Sequence, residues 1–139
     1  MPIPQTPLLA VDVIIRRRNG QIILIRRANP PFAGCWALPG GFVKYGERVE
    51  EAAIREAKEE TGLDIQLERI VGIFSDPGRD PRGHVVSICF LARERGGILK
   101  SGSDAEEVVS IDPQNIKNIR LAFDHREMLM KAGIIPPGF

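Results

Sequence analysis

The stretch LPGGFVKYGERVEEAAIREAKEETGL, residues 38–63, constrains the fold more than any other, because it sets one helix between two runs of strand-forming sequence. Pro39, Gly40 and Gly41 mark a tight backbone passage, with glycine where a side chain would obstruct a neighbour. From about Arg48 to Thr61 the positions Val49, Ala52, Ala53, Ile54 and Ala57 recur at helical rather than alternating spacing. Gly62 follows as a helix stop.

Around this helix the chain reads as strands. LLAVDVIIRR (8–17) and QIILIRR (21–27) are rich in β-branched residues, and Asn19-Gly20 between them predicts a hairpin with a type I′ turn, which needs positive φ at both central residues. The Pro/Gly-punctuated ANPPFAGCW leads to a short strand near Trp36 and Leu38. IQLERIVGIFS (65–75) and HVVSICFLA (84–92) are further strands, and the near-continuous apolar character of the second predicts a central position. Between them DPGRDPRG is turn-rich and charged.

A short strand is expected around Glu107–Ile111, then Asp112-Pro113 as an N-cap followed by proline at the first helical position. A final amphipathic helix, roughly 122–132, carries Phe123, Met128, Leu129 and Met130. The 139 residues suit one domain, residues 1–139, with strands before, between and after two helices, which predicts α+β or a mixed-sheet α/β sandwich.

Composition narrows the partners. A formal net charge of +1 with 27% charged residues of both signs argues against nucleic acid or membrane held by bulk electrostatics, so an anionic ligand must be recognised locally. Cys35 and Cys89 lie in no metal-ligand spacing and are too few for a disulfide framework; reduced buried thiols are expected. The N-terminal apolar run is broken by Asp12 and lacks a basic flank, so neither signal peptide nor span is expected, and a cytoplasmic location follows.

Glu56, Glu59 and Glu60 stand at i, i+3 and i+4, neighbours about 5–6 Å apart on one helix face near its negative end. A solvated acidic face is the bland explanation. Against it, none of the three has a basic residue at i+3 or i+4 on its C-terminal side, and Gly40-Gly41 would let a backbone carbonyl approach a cation. Oxygen ligands of this kind suit Mg²⁺ or Mn²⁺, which would supply the missing positive charge.

Gly41, Glu47, Arg55, Glu56, Ala57, Glu59, Glu60, Gly62 and Leu63 together resemble a complete Nudix box, G(x5)E(x7)REU(x)EE(x)GU with U apolar. The resemblance implies an α/β/α sandwich with a mixed sheet, and hydrolysis of a nucleoside diphosphate linked to another group. It implies that Glu56, Glu59 and Glu60 hold divalent cations with the Gly40 carbonyl, and that Glu47 and Arg55 form a bracing ion pair. A general base is expected from a later loop, where Glu106 and Glu107 stand with Asp104 behind them, although an exposed acidic turn explains the same residues.

For the substrate, Arg79, Arg82 and His84 could donate to phosphate or ribose oxygens, unless Asp80 pairs internally with an arginine. RDPRGHVVS, WALPGGFV and LAFDH, with Pro77 beyond the box, are similar to the ADP-ribose pyrophosphatase branch of the family. That likeness implies ADP-ribose hydrolysis to AMP and ribose 5-phosphate, and a homodimer as a possible assembly. Val109-Ser110 departs from the aromatic pair usual in relatives. Trp36, Phe74 and Phe90 are candidate adenine contacts or core residues, and Asp124 and His125 are expected to cap and pack the last helix. Two other activities remain open: pyrophosphohydrolysis of nucleoside triphosphates, oxidised ones included, and ADP-ribose sensing without catalysis.

Overall fold

The computed structural model describes residues 2–139. Its strands are β1 (Leu8–Arg16), β2 (Ile22–Arg27), β3 (Trp36–Ala37), β4 (Gly40–Phe42), β5 (Leu63–Phe74), β6 (Val85–Gly97) and β7 (Ala105–Ile111). Helix α1 spans Val49–Thr61, α2 spans His125–Lys131, and a 3-10 turn covers Pro113–Ile116. The strands form a seven-stranded sheet in the order β3-β2-β1-β6-β5, with β4 added to β1 and β7 to β2. β1 and β6 run parallel and the other pairs antiparallel, so the sheet is mixed, and β6 takes the expected inner position.

Side-chain alternation along β1 explains the layers. Val11, Val13 and Ile15 face Ala52, Ala53 and Ala57 of α1 in one core cluster. Ile14 points the other way, into a cluster with Cys89, Leu91, Met128 and Leu129. A strand with apolar residues on both faces needs cover on both. The result is the α/β/α sandwich, with α1 and α2 on opposite faces. Both cysteines are buried free thiols.

The β1–β2 hairpin forms, but not through the expected type I′ turn. Gly20 has φ +84° while Asn19 stays outside the left-handed region. The Arg17 N–H donates to the Gln21 carbonyl (2.8 Å) and the Gly20 N–H to that of Arg17 (3.0 Å). The Asn19 side-chain oxygen accepts from the Gln21 N–H at 3.0 Å, so asparagine acts through its side chain rather than through positive φ. After the Arg16–Ile22 pair the strands part: β1 pairs through Ala10, Val11 and Asp12 with β4, and β2 pairs with β7. This fork opens a cleft lined by Ala10, Val11 and Asp12 of β1 and by Ile25 and Arg27 of β2.

α1 begins one residue later than expected, where Arg48 is the N-cap and its N–H donates to Glu51 (3.0 Å). Gly62 ends it at φ +76°, and a Cβ there would strike the Ile98 carbonyl oxygen. The last carbonyls of α1 are met by the loop after β6: Lys100 N–H donates to Thr61 O (2.9 Å) and Gly102 N–H to Glu60 O (3.3 Å). Asp112 caps the 3-10 turn as predicted, accepting from Gln114 N–H at 2.9 Å.

α2 is shorter than the 122–132 expected. Phe123 precedes it at φ +50°, and Asp124 holds the N-cap position without a side-chain capping bond. Its carboxylate is instead gripped by Arg79, with Nε–Oδ2 2.9 Å and Nη2–Oδ1 2.7 Å. A guanidinium side chain only 5% exposed takes the carboxylate first, because an unpaired buried charge costs more than a missing cap. Asp124→Asn, which would preserve a capping oxygen, should therefore lower unfolding free energy by about 3 kcal/mol in a denaturant titration. Wild-type stability in that variant would return Asp124 to a capping role.

Candidate functional site

The cleft has a volume of about 460 Å³. Its lining includes the carboxyl groups of Glu56, Glu60 and Asp104, the guanidiniums of Arg27 and Arg82, and the rings of Phe42 and Phe123. It therefore brings together anionic, cationic and aromatic groups, as a ligand carrying both phosphates and a flat ring would require.

On the acidic side Arg55 is the organiser. Its Nε donates to Glu47 (2.7 Å), its Nη1 to Glu56 (2.8 Å) and Glu59 (3.3 Å), and its Nη2 to Glu47 (2.9 Å) and the Phe42 carbonyl (3.1 Å). Counting partners on the C-terminal side alone therefore missed the relief of repulsion, because Arg55 reaches Glu56 and Glu59 from the N-terminal side. Hydrogen bonding from Arg55, then from the Lys44 backbone, lowers the Glu47 carboxyl to about 2. Burial raises Glu56 above the usual carboxylate range, against the pull of Arg55.

Glu60 lies outside the reach of Arg55. It is 8% exposed and accepts one hydrogen bond from the Gly40 N–H at 3.2 Å. Burial, and next the charge of Glu56, push its carboxyl up to about 8. Gly40 and Gly41 are small for evident reasons: a Cβ on Gly40 would strike the Val11 carbonyl, and one on Gly41 would lie 2.5 Å from Glu56 Oε1.

A buried polar cluster borders the cleft. Asp12 accepts from Ser87 Oγ (2.5 Å), and His125 Nε2 lies 3.2 Å from its Oδ1. Arg79 Nη2 stands 4.0 Å from its other oxygen. Burial acts to raise the Asp12 carboxyl, but His125, Ser87 and Arg79 outweigh it and hold the group below the ordinary range.

The expected substrate residues part company. Arg79 lines the cleft with its guanidinium committed to Asp124. Arg82 is paired with Asp80 (Nη2–Oδ2 2.8 Å) and lies over the Phe42 ring at 5.2 Å and the Phe123 ring at 5.8 Å. His84 is exposed, with Nε2 2.9 Å from the Ser75 carbonyl, and does not line the cleft. Glu106 and Glu107 both reach Arg26 on β2, at 3.5 and 3.0 Å, and also lie off the lining, whereas Asp104 is on it. Phe90 is core, and Trp36 and Phe74 pack against the α2-side core.

Arg27, Asp12, Phe42 and Phe123 enter the site without having been singled out for it. Arg27 bonds the Pro31 carbonyl through Nε at 2.7 Å and lies 5.1 Å from the Phe123 ring centroid. Burial and then Arg82 lower its pKa, against the opposing pull of Glu60, Asp80 and Asp12. A lone aspartate inside LLAVDVII was the available signal for Asp12. No comparable signal marks Arg27, whose place depends on where β1 and β2 part.

Among the described residues, no three acidic, histidine or cysteine side chains are arranged to enclose a metal ion. The donor set nonetheless fits a hard divalent cation: Glu56, Glu59 and Glu60 offer only oxygens, and Glu60 is a desolvated carboxyl short of positive charge. Engaging all three would require Glu56 and Glu59 to leave Arg55, which now serves as their counter-ion.

Comparison with known proteins gives the chain its relatives. The chain is 53% identical over 123 residues, 88% of its length and 71% of the relative's, to an ADP-ribose pyrophosphatase of Methanocaldococcus jannaschii. The NUDIX domain of Shewanella oneidensis NrtR, solved with ADP-ribose, superposes with a TM-score of 0.82 at 26% identity, covering 93% of this chain and 88% of that one. A bifunctional NMN adenylyltransferase/ADP-ribose pyrophosphatase of Francisella tularensis, solved with AMP and a manganese ion, gives 0.82 at 27% identity, covering 94% of this chain and 42% of that one. The family model described as the NUDIX domain matches residues 6–132, and with the acidic helix, the glycine passage and the mixed-sheet sandwich in place, the chain belongs to the Nudix hydrolase family.

Proposed function

We propose that this chain, acting as one domain on a small nucleotide in the cytoplasm, hydrolyses ADP-ribose to AMP and ribose 5-phosphate. The observation that carries the substrate is the 53% identity with an ADP-ribose pyrophosphatase across most of both chains. Among the described residues no helix is long and apolar enough to cross a membrane.

Nudix hydrolases generally use divalent metal ions, and Mg²⁺ or Mn²⁺ is the cofactor proposed here. Glu56, Glu59 and Glu60, with the Gly40 carbonyl, would hold it. Bound there, a divalent cation supplies charge neutralisation at the diphosphate and a more acidic water.

The chain's own residues do the rest. Glu47 and Arg55 brace the loop before α1 against the helix. Arg82 spends Nε and Nη2 on Asp80, and Arg27 spends Nε on Pro31; both residues line the cleft, and their remaining N–H groups are left as donors to phosphate oxygens. Phe42 and Phe123 offer faces to a base or sugar and steady both guanidiniums. Asp104 is assigned the proton-accepting role ahead of Glu106 and Glu107, since it lines the cleft and they are tied to Arg26. Arg79 supports the site through Asp124 rather than touching substrate.

The substrate assignment predicts AMP and ribose 5-phosphate from ADP-ribose with Mg²⁺, at a kcat/KM well above that for pyrophosphate release from any dNTP in a parallel panel. Preference for triphosphates, oxidised ones included, would move the chain to the alternative activity, and binding of ADP-ribose without turnover would make it a sensor.

Glu60→Gln separates catalysis from folding. Activity should fall at least roughly 100-fold, the rate equivalent of the several kcal/mol a bound cation contributes. A carboxyl with a folded-state pKa of about 8 is raised above its unfolded value, so its ionisation erodes stability as pH climbs from about 4.5 to 8. The metal-free glutamine variant should therefore melt higher than metal-free wild type at pH 8 and show a smaller difference at pH 5 in paired thermal scans. Equal melting at both values would remove the strained carboxyl from the account.

A further inference from the structure

We propose that Asp12 and His125 form a positioning pair that latches the Leu38–Gly40 segment to the terminal helix, and through it sets Glu60 in the cleft. The proposal rests on the reading of Glu60 as a cation-holding carboxylate.

Backbone accounting for Leu38, Pro39 and Gly40 leads to this pair. Pro39 has no N–H, so the segment has two donors, and both go to side chains rather than to a neighbouring strand. Leu38 N–H donates to His125 Nδ1 at 3.0 Å, and Gly40 N–H donates to Glu60 Oε2 at 3.2 Å. The Pro39 carbonyl accepts from Val13 N–H at 2.8 Å, where the pairing of β4 with β1 begins. The position of Gly40 against Glu60 is thus held by β1 on one side and by an imidazole at Leu38 on the other.

That imidazole is itself fixed. Because Nδ1 accepts from an amide, the proton sits on Nε2, which faces Asp12 Oδ1 at 3.2 Å. Histidine is 3% exposed and aspartate 8%, so neither exchanges its partner for water. Ser87 donates to the second Asp12 oxygen, and Asp12 pairs with Gly40 across β1 and β4. The chain before α2 is tied to the same place, with Ala122 N–H donating to the Trp36 carbonyl (2.8 Å) and Trp36 N–H to that of Arg120 (3.0 Å). Groups that orient cation ligands from behind govern affinity without touching the ion.

Two substitutions split the two ring nitrogens. In His125→Asn the side-chain oxygen falls near the place of Nδ1 and can still accept from Leu38. In His125→Gln the amide nitrogen falls near Nε2 and can still donate to Asp12, while Leu38 loses its acceptor. Mn²⁺ affinity, read by electron paramagnetic resonance, should weaken roughly tenfold or more in His125→Gln, which loses the Leu38 acceptor, and distinctly less in His125→Asn, which loses only the Asp12 contact.

Equal affinity in all three proteins, or equal loss in both variants, overturns the latch. Wild type that binds no Mn²⁺, or a Glu60→Gln control that binds as tightly as wild type, overturns the cation reading and with it the claim on the site. The latch has a separate readout in unsubstituted protein: a ¹⁵N–¹⁵N coupling across the Leu38–His125 hydrogen bond, whose absence overturns it whatever the metal does. If neither variant folds, a Mg²⁺ titration of wild type decides. The His125 ring nitrogens should shift with the same midpoint as the Gly40 amide, and ring signals that stay still would overturn the proposal.

Discussion

Burying Asp12 in a strand otherwise built from valine and isoleucine is the constraint on which much of the architecture turns. A carboxylate taken out of water is tolerated only with its oxygens filled by donors. Ser87 on β6 fills one and His125 on α2 the other, with Arg79 close behind. Arg79 in turn takes Asp124, so the segment 75–84, β1, β6 and the start of α2 are joined at one point by ion pairing and hydrogen bonds. Apolar packing places the two helices on the sheet; this cluster fixes how α2 is docked relative to the cleft.

The acidic helix solves a different problem. Three glutamates near the negative end of a helix would be costly without positive charge. Arg55 covers Glu56 and Glu59 from one side, and the N–H groups of Lys100 and Gly102 meet the last carbonyls of the helix from the other. Glu60 has neither the guanidinium nor water, which is why its carboxyl is so hard to ionise. The helix is thus stable without a cation, with one of its carboxyls left short of positive charge.

Local regularities in the chain carried the reading of the fold a long way. The helix of residues 49–61 and its glycine stop were legible because apolar spacing and the left-handed C-terminal position are local properties. The end of β6 was not, since Arg93–Gly97 is polar and is held in strand form by pairing with the start of β5. The hairpin was visible and its turn was not, because Asn19 can serve a turn through its side chain as well as its backbone. Arg26 faces Glu107 across β2 and β7, a register that no local pattern reveals, and this draws the expected base candidates away from the cleft. Internal pairing of Asp80 with Arg82 had been foreseen as one reading of the charged loop, while the claim of Asp124 on Arg79 had not.

Three glycines place the loop after β6 hard against the end of α1. A Cβ on Gly62 would strike Ile98, one on Gly97 would strike the Gly62 carbonyl, and one on Gly102 the Glu59 carbonyl. Asp104 follows two residues after the last of these contacts. Loop and helix end are therefore closely packed, and the residue proposed to accept a proton stands just beyond that contact with the helix that bears the acidic cluster. A surface loop would ordinarily tolerate insertions; this one is bonded and packed to the helix end, and a single added residue before Asp104 would change its spacing from the helix carboxylates rather than merely lengthen a connection.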